Sequence, residues 1–170
     1  QKDHDNFLKA AAIVQTKHPN VCFVCVGEGP ENFWNEKKAL ARSLDLKNLI
    51  WAGSRADMPE VYNALNILVS ASKGEGFPNA VAEAMACGIP CIVTDVGDSS
   101  ILVGDTGVCT TPGDPQALAE NILRMLELSE SDRINLGMKA RKRIEDNFSL
   151  EKMVYAYTDL YEQLSGLDPS

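Results

Sequence analysis

From residue 21 to residue 26 every position is apolar. The run is shorter than an ordinary helix and lacks the alternation of a half-exposed strand, so it predicts a strand covered on both faces, as in a parallel sheet. Shorter runs at 48–51, 67–70, 90–94 and 107–109 predict four more strands. Between and after them the period lengthens. Phe7, Leu8, Ala11, Ala12 and Val14 share one face of a helix over 5–18. Further helices are predicted at 32–44, 58–65, 114–128 (capped by Asp114), 131–146 and 150–164, with a single helical turn at 99–103. Strands that alternate with helices make a Rossmann-like, doubly wound parallel sheet, an α/β fold, here followed by C-terminal helices. Ligands of such sheets bind beyond the carboxyl ends of the strands. The loops after residues 26, 51, 70 and 94 therefore form one expected rim, with Gly27, Ser54, Arg55, Glu75 and Asp95 in or near it.

One run organises the rest. After the strand at 67–70 comes Glu75-Gly76-Phe77-Pro78-Asn79-Ala80-Val81-Ala82-Glu83-Ala84-Met85-Ala86-Cys87-Gly88. Pro78 suits the first helical position, where a missing N–H is harmless. Gly88 suits the end, and Pro90 blocks continuation. The amides of Asn79, Ala80 and Val81 are then expected to face back into the loop as an anion site. Glu75 precedes the helix. Glu83 sits within it among Ala, Val, Met and Cys, where an ionised group needs either solvent or a partner with donors. Physics alone leaves open a solvated Glu83 and a dipole-favoured Glu75.

Composition narrows the choice. The chain has 170 residues, enough for one domain with a real core, and its 45% hydrophobic content includes only 6% aromatics, so that core is aliphatic. A net charge of −8 argues against nucleic acid as partner. No apolar run reaches membrane-spanning length, and the first residues do not read as a signal peptide, which makes a cytoplasmic setting the expectation. Five cysteines form no disulfide framework. Cys22 and Cys25 fall on opposite faces of a predicted strand, so all five are expected to be small buried hydrophobes and not metal ligands. Gly27-Glu28-Gly29-Pro30 lacks the third glycine of a dinucleotide fingerprint, Asn32 standing in its place. His4 and His18 are expected at the surface. The basic run Lys139, Arg141, Lys142, Arg143 reads as a solvated helical face, with contact to an anionic membrane face as a secondary expectation.

The Glu75–Gly88 run resembles the Glu-x7-Glu motif of retaining GT-B-fold glycosyltransferases of family 4, the group 1 glycosyltransferases. Glu83 to Pro90, Thr94-Asp95-Val96-Gly97-Asp98, Val103-Gly104-Asp105-Thr106-Gly107 and Pro112-Gly113-Asp114-Pro115 extend the resemblance in order. It implies that residues 1–170 are the nucleotide-sugar (donor) domain, one half of a GT-B fold. It also implies that the first strand with its Gly-Arg and the N-terminal acceptor domain lie outside this chain, which alone would be inactive.

The resemblance further implies transfer of a sugar from a UDP-, GDP- or ADP-sugar to a saccharide or lipid acceptor, without cofactor or metal. Glu75 would be the catalytic residue, at the transferred sugar, and Glu83 would take the ribose diol. Gly76 and the amides of Phe77, Asn79, Ala80 and Val81 would serve sugar and phosphate. Lys2 would meet the diphosphate, Ser54 and Arg55 the base, and Gly27 would border the cleft. The alternatives are a non-catalytic nucleotide-sugar-binding module or a sugar-nucleotide epimerase of related fold.

Overall fold

A computed structural model describes residues 1–166. In order the chain forms α1 (His4–Lys17), β1 (Phe23–Val26), α2 (Glu31–Ser43), β2 (Leu49–Gly53), α3 (Met58–Asn63), β3 (Leu68–Ser70) and α4 (Asn79–Ala86). It continues with β4 (Cys91–Thr94), α5 (Ser99–Val103), β5 (Val108–Thr110), α6 (Pro115–Glu127), α7 (Glu130–Asn147) and α8 (Leu150–Ser165). Every element expected from the hydrophobic pattern is present, with ends displaced by one or two residues. Asp114 accepts from the amides of Gln116 and Ala117, and so caps α6 as its sequence predicts.

All strand pairs are parallel. β1 pairs with β2, with Phe23 opposite Leu49 and an irregularity between Cys25 and Val26. β3, β4 and β5 form a second ladder, with Val69 opposite Ile92 and Ile92 opposite Val108. Among the described residues no ladder joins the two pieces. Side chains join them instead. Ala10, Ala11 and Val14 of α1 share one core with Phe23, Ile92, and Leu118 and Ile122 of α6. Tyr62, Val81, Met85, Val93, Leu102 and Ala140 form a second core. Ile92 and Val93 are neighbours in β4 yet serve different cores, as the two-residue period of a strand requires. The fold is therefore layered, with helices over both faces.

The carboxyl end of β3 meets the start of the chain, where the amide of Lys73 donates to the carbonyl of Gln1 at 2.8 Å. That bond sets Lys2 beside the loop that follows β3.

Two further contacts fix α4 and α5. Gly88, which ends α4 at φ 76°, lies against Gly137 of α7, and a Cβ on Gly137 would stand 1.8 Å from the Gly88 carbonyl oxygen. Arg143 of α7 donates to the carbonyls of Leu102 and Ile101 at 2.8 and 2.7 Å, closing the end of α5. Arg141 and Lys142 pair with Glu145 and Asp146 one turn on. So the basic run of α7 is partly a structural cap and not wholly a solvated face.

The cysteines depart from expectation. Cys91 alone is buried, Cys25 and Cys87 are partly covered, and Cys22 and Cys109 are exposed. Cys22 lies just before β1, and Cys109 lies in β5, an outer strand of its ladder, so neither need be enclosed. Among its residues α8 has none buried, and Leu150, Met153, Tyr157, Leu160 and Tyr161 are all exposed.

Gly137→Ala should lower stability by about 1–3 kcal/mol, the range for overpacking a tight contact. Chemical denaturation measures it. A helix-propensity gain with no loss would show that the α4–α7 contact yields freely.

Candidate functional site

The site begins with a covered carboxylate. Ser72, in the loop after β3, is buried, and its hydroxyl donates to Oε1 of Glu75 at 2.6 Å. Lys2 Nζ reaches the same oxygen at 2.5 Å. The Glu75 side chain is only 7% exposed. Thr94, at the end of β4, donates to the Ser72 carbonyl at 2.6 Å, which ties this loop to the neighbouring strand. Gly97 completes the arrangement. It has φ 53°, and a Cβ there would fall 2.1 Å from the Glu75 carbonyl oxygen. The amide of Asp98 also donates to the Gly76 carbonyl at 3.2 Å. The loops after β3 and β4 therefore touch backbone to backbone, and only glycine permits both the conformation and the approach.

Burial pushes the Glu75 carboxyl up, but the hydrogen bonds from Lys2 and Ser72 and the Lys2 charge outweigh it. Its pKa lies below the usual carboxylate value. Both donors use Oε1, and Oε2 has no partner among the described residues. An ionised oxygen is thus held in place and left available.

The helix start differs from its sequence reading. Pro78 is the cap and not the first helical residue, with ψ 83° outside the helical region. Its carbonyl accepts from Val81 and Ala82, and the amide of Asn79 is turned to the Phe77 carbonyl at 3.0 Å. The expected trio of free amides at Asn79, Ala80 and Val81 is corrected accordingly. Within 76–81, among the described residues, the amides without a partner are those of Gly76, Phe77 and Ala80. The anion-facing set moves toward the loop because the turn at Pro78 uses two of the helical donors itself.

Glu83 is exposed, one face away from the Val81, Ala84 and Met85 positions that enter the core. Its Oε2 accepts from the hydroxyl of Tyr62 at 2.7 Å. Tyr62 comes from α3 and is buried. Burial and the adjoining carboxylate both raise the phenol pKa, so Tyr62 remains a donor. Sequence reasoning did not single out Tyr62. The signal available was a tyrosine on the inner face of a short helix, whose hydroxyl needs a partner once buried. Which partner is a matter of packing alone.

The remaining expected residues gather less tightly. The Gly27 amide donates to the Gly53 carbonyl at 2.8 Å, joining the loops after β1 and β2. Ser54 and Arg55 are exposed on the second of these. The Arg55 guanidinium is engaged by both oxygens of Asp57, so it is held and not free to reorient. Asp95 borders an open cavity of about 450 Å3 with Cys109, Thr110 and Asn121, whose lining does not include Glu75. His4 is partly exposed, as is His18, but it is also packed. Its ring packs edge-on against Phe33 and Trp34 at 5.4 and 5.3 Å, because the start of α1 lies against α2. Burial, with the Lys37 charge, lowers its pKa. The start of the chain thus touches the loop after β3 through Lys2 to Glu75, and helix α2 through His4 to Trp34.

A family model described as glycosyl transferases, group 1, matches residues 1–128. The chain belongs to this family. It is 32% identical over 139 residues to N-acetyl-alpha-D-glucosaminyl L-malate synthase of Bacillus anthracis, covering 80% of this chain and 36% of that protein. The structure superposes on the C-terminal domain of the group 1 glycosyl transferase LpcC from Francisella tularensis with a TM-score of 0.77 and 27% identity, over 88% of this chain and 80% of that one. Against HepE of Anabaena in complex with UDP the TM-score is 0.84 at 26% identity, over 98% of this chain and 46% of HepE. HepE has also been crystallised with UDP-glucose. As a group 1 glycosyltransferase domain with GT-B neighbours, the chain spans 36–49% of the length of the first four curated relatives it matches.

A Lys2→Met variant should raise the Glu75 pKa, since the Lys2 hydrogen bond and charge that oppose burial would be gone. Carbon-detected NMR titration of the side-chain carboxyl measures it. The native pKa is depressed, so this group's contribution to stability is present above the unfolded-state pKa and is lost as pH falls through the folded one. The variant should show a smaller loss over that acid range. An unmoved pKa would show that the Lys2 contact carries no weight in solution.

Proposed function

We propose that the chain is the donor-binding half of a retaining glycosyltransferase, which takes a nucleotide-diphospho-sugar and passes its sugar to a saccharide or lipid acceptor held by another domain. The observation that carries the reading is the flanking of one helix start by two acids in unlike settings, Glu75 buried and doubly bonded, Glu83 exposed. UDP and UDP-glucose bound to the structural neighbour HepE support it.

In this reading the pyrophosphate sits before α4. The amides of Gly76, Phe77 and Ala80 donate to it, and the Lys2 ammonium turns part of its charge from Glu75 to phosphate. Charge that builds on the leaving diphosphate is met by donors already in place, which is where such a transfer gains most. Glu83 accepts from the two ribose hydroxyls, each bond assisted by its charge. The unpartnered Oε2 of Glu75 accepts from a hydroxyl of the transferred sugar and lies on the side where positive character grows at the anomeric carbon. Retention follows if the acceptor attacks from the face that the diphosphate leaves, with a phosphate oxygen taking the acceptor proton. Arg55, fixed by Asp57, presents a planar face to the base. UDP-, GDP- and ADP-sugars all satisfy this chemistry, since base choice rests on the loops after β1 and β2.

Calorimetric titration of the chain with UDP, GDP and ADP tests the reading. One of the three should bind, and Glu83→Ala should weaken it by about 1.5–3 kcal/mol, the range for hydrogen bonds to a charged group. Heat from none of them, or an affinity unchanged by the substitution, would contradict the assignment.

A further inference from the structure

We infer that Tyr62 is the positioning residue for Glu83, and that the phenol holds the carboxylate in the orientation in which it receives the ribose diol. The inference rests on the ribose reading of Glu83.

An exposed glutamate on a helix is a poor receptor by itself. It samples several rotamers, and fixing them on binding costs on the order of 1.5–2 kcal/mol. Glu83 is exposed, yet one of its oxygens is bonded at 2.7 Å to a hydroxyl whose own residue is only 4% exposed. The anchor cannot follow the carboxylate into solvent. Its ring is packed in the core with Val81, Met85 and Leu102. The ordering of Glu83 is therefore done before the ligand arrives.

The stoichiometry of lone pairs agrees. A carboxylate has about four acceptor sites. Tyr62 fills one of those on Oε2, and Oε1 has no partner among the described residues. Enough remain for two hydroxyl donors. The phenol also keeps its proton across any ordinary pH, because burial and the carboxylate both disfavour the phenolate.

Tyr62 has a second connection. It lies on α3, which starts at Met58, the residue after Asp57. Asp57 holds Arg55. One short helix therefore carries both the clamp on the loop proposed for the base and the anchor of the acid proposed for the ribose. A shift of α3 would displace both together.

The test separates orientation from folding. Wild type, Tyr62→Phe and Glu83→Gln are titrated with whichever of UDP, GDP and ADP binds, and with its 2′,3′-dideoxy analogue. Thermal unfolding is followed in parallel. Tyr62→Phe should weaken the ribonucleotide about three- to tenfold and leave the dideoxy analogue unchanged. Glu83→Gln should weaken only the ribonucleotide as well, and adding Tyr62→Phe to it should have little further effect. Equal weakening of both nucleotides by Tyr62→Phe would mean a structural role and overturn the inference. So would no weakening at all, while the ribose reading would stand if Glu83→Gln still discriminated. If Glu83→Gln fails to discriminate, or no diphosphate binds, both fall.

A readout without the variant is also at hand. The chain has four tyrosines, and the other three, Tyr155, Tyr157 and Tyr161, lie exposed on α8. With 3-fluorotyrosine incorporated, the Tyr62 resonance should move on addition of the ribonucleotide and stay in place with the dideoxy analogue. The same movement with both would contradict the inference.

Discussion

A carboxylate that is almost fully covered must be compensated, and the compensation of Glu75 ties this domain together. Its oxygen Oε1 draws on two parts of the chain that are far apart in sequence, Lys2 at the start and Ser72 after β3. The loop that holds it is pressed against the next loop at Gly97, closer than any side chain would allow. Removing one partner of a buried charge is far more damaging than never having placed it there. The arrangement is thus an unlikely way to gain stability alone, and a good way to keep one ionised oxygen in a fixed place.

In the proposed reading the two acids of the motif divide the work through their surroundings. Glu75 is buried, held by a hydroxyl and an ammonium, and kept ionised below the usual pKa. Glu83 is solvent-facing and held by a single buried phenol. The first environment suits a group that must stay charged close to a reacting centre. The second suits a receptor for neutral hydroxyls, which needs direction more than charge. Both depend on preorganisation by neighbours that never need to touch the substrate, namely Ser72, Thr94, Gly97 and Tyr62.

Most of the fold was legible because burial on both faces leaves uninterrupted apolar runs, and helices between strands carry their own period. The caps at Asp114 and Gly88 followed from local chemistry. Family likeness, more than periodicity, drew attention to Glu75, Glu83 and Lys2. What escaped was set by packing. Pro78 can open a helix from inside or just outside it, and the choice depends on which carbonyl the amide of Val81 finds. His4 looks fully exposed until α2 places Phe33 and Trp34 against it. An exposed Cys22 or Cys109 is indistinguishable in sequence from a buried Cys91. Tyr62 stands 21 residues before Glu83, and no local pattern joins them.

The central claim is that the mouth of α4 holds the diphosphate and pentose of an activated sugar. A crystal structure of this chain with UDP-glucose, the ligand crystallised with HepE, tests it most directly. The account predicts ribose hydroxyls on Glu83 with Tyr62 still bonded behind it, phosphate oxygens against the amides of Gly76, Phe77 and Ala80, and Lys2 turned toward phosphate. A nucleotide seated elsewhere, for instance in the cavity beside Asp95 and Asn121, or a ribose with Glu83 pointing away from it, would contradict the account.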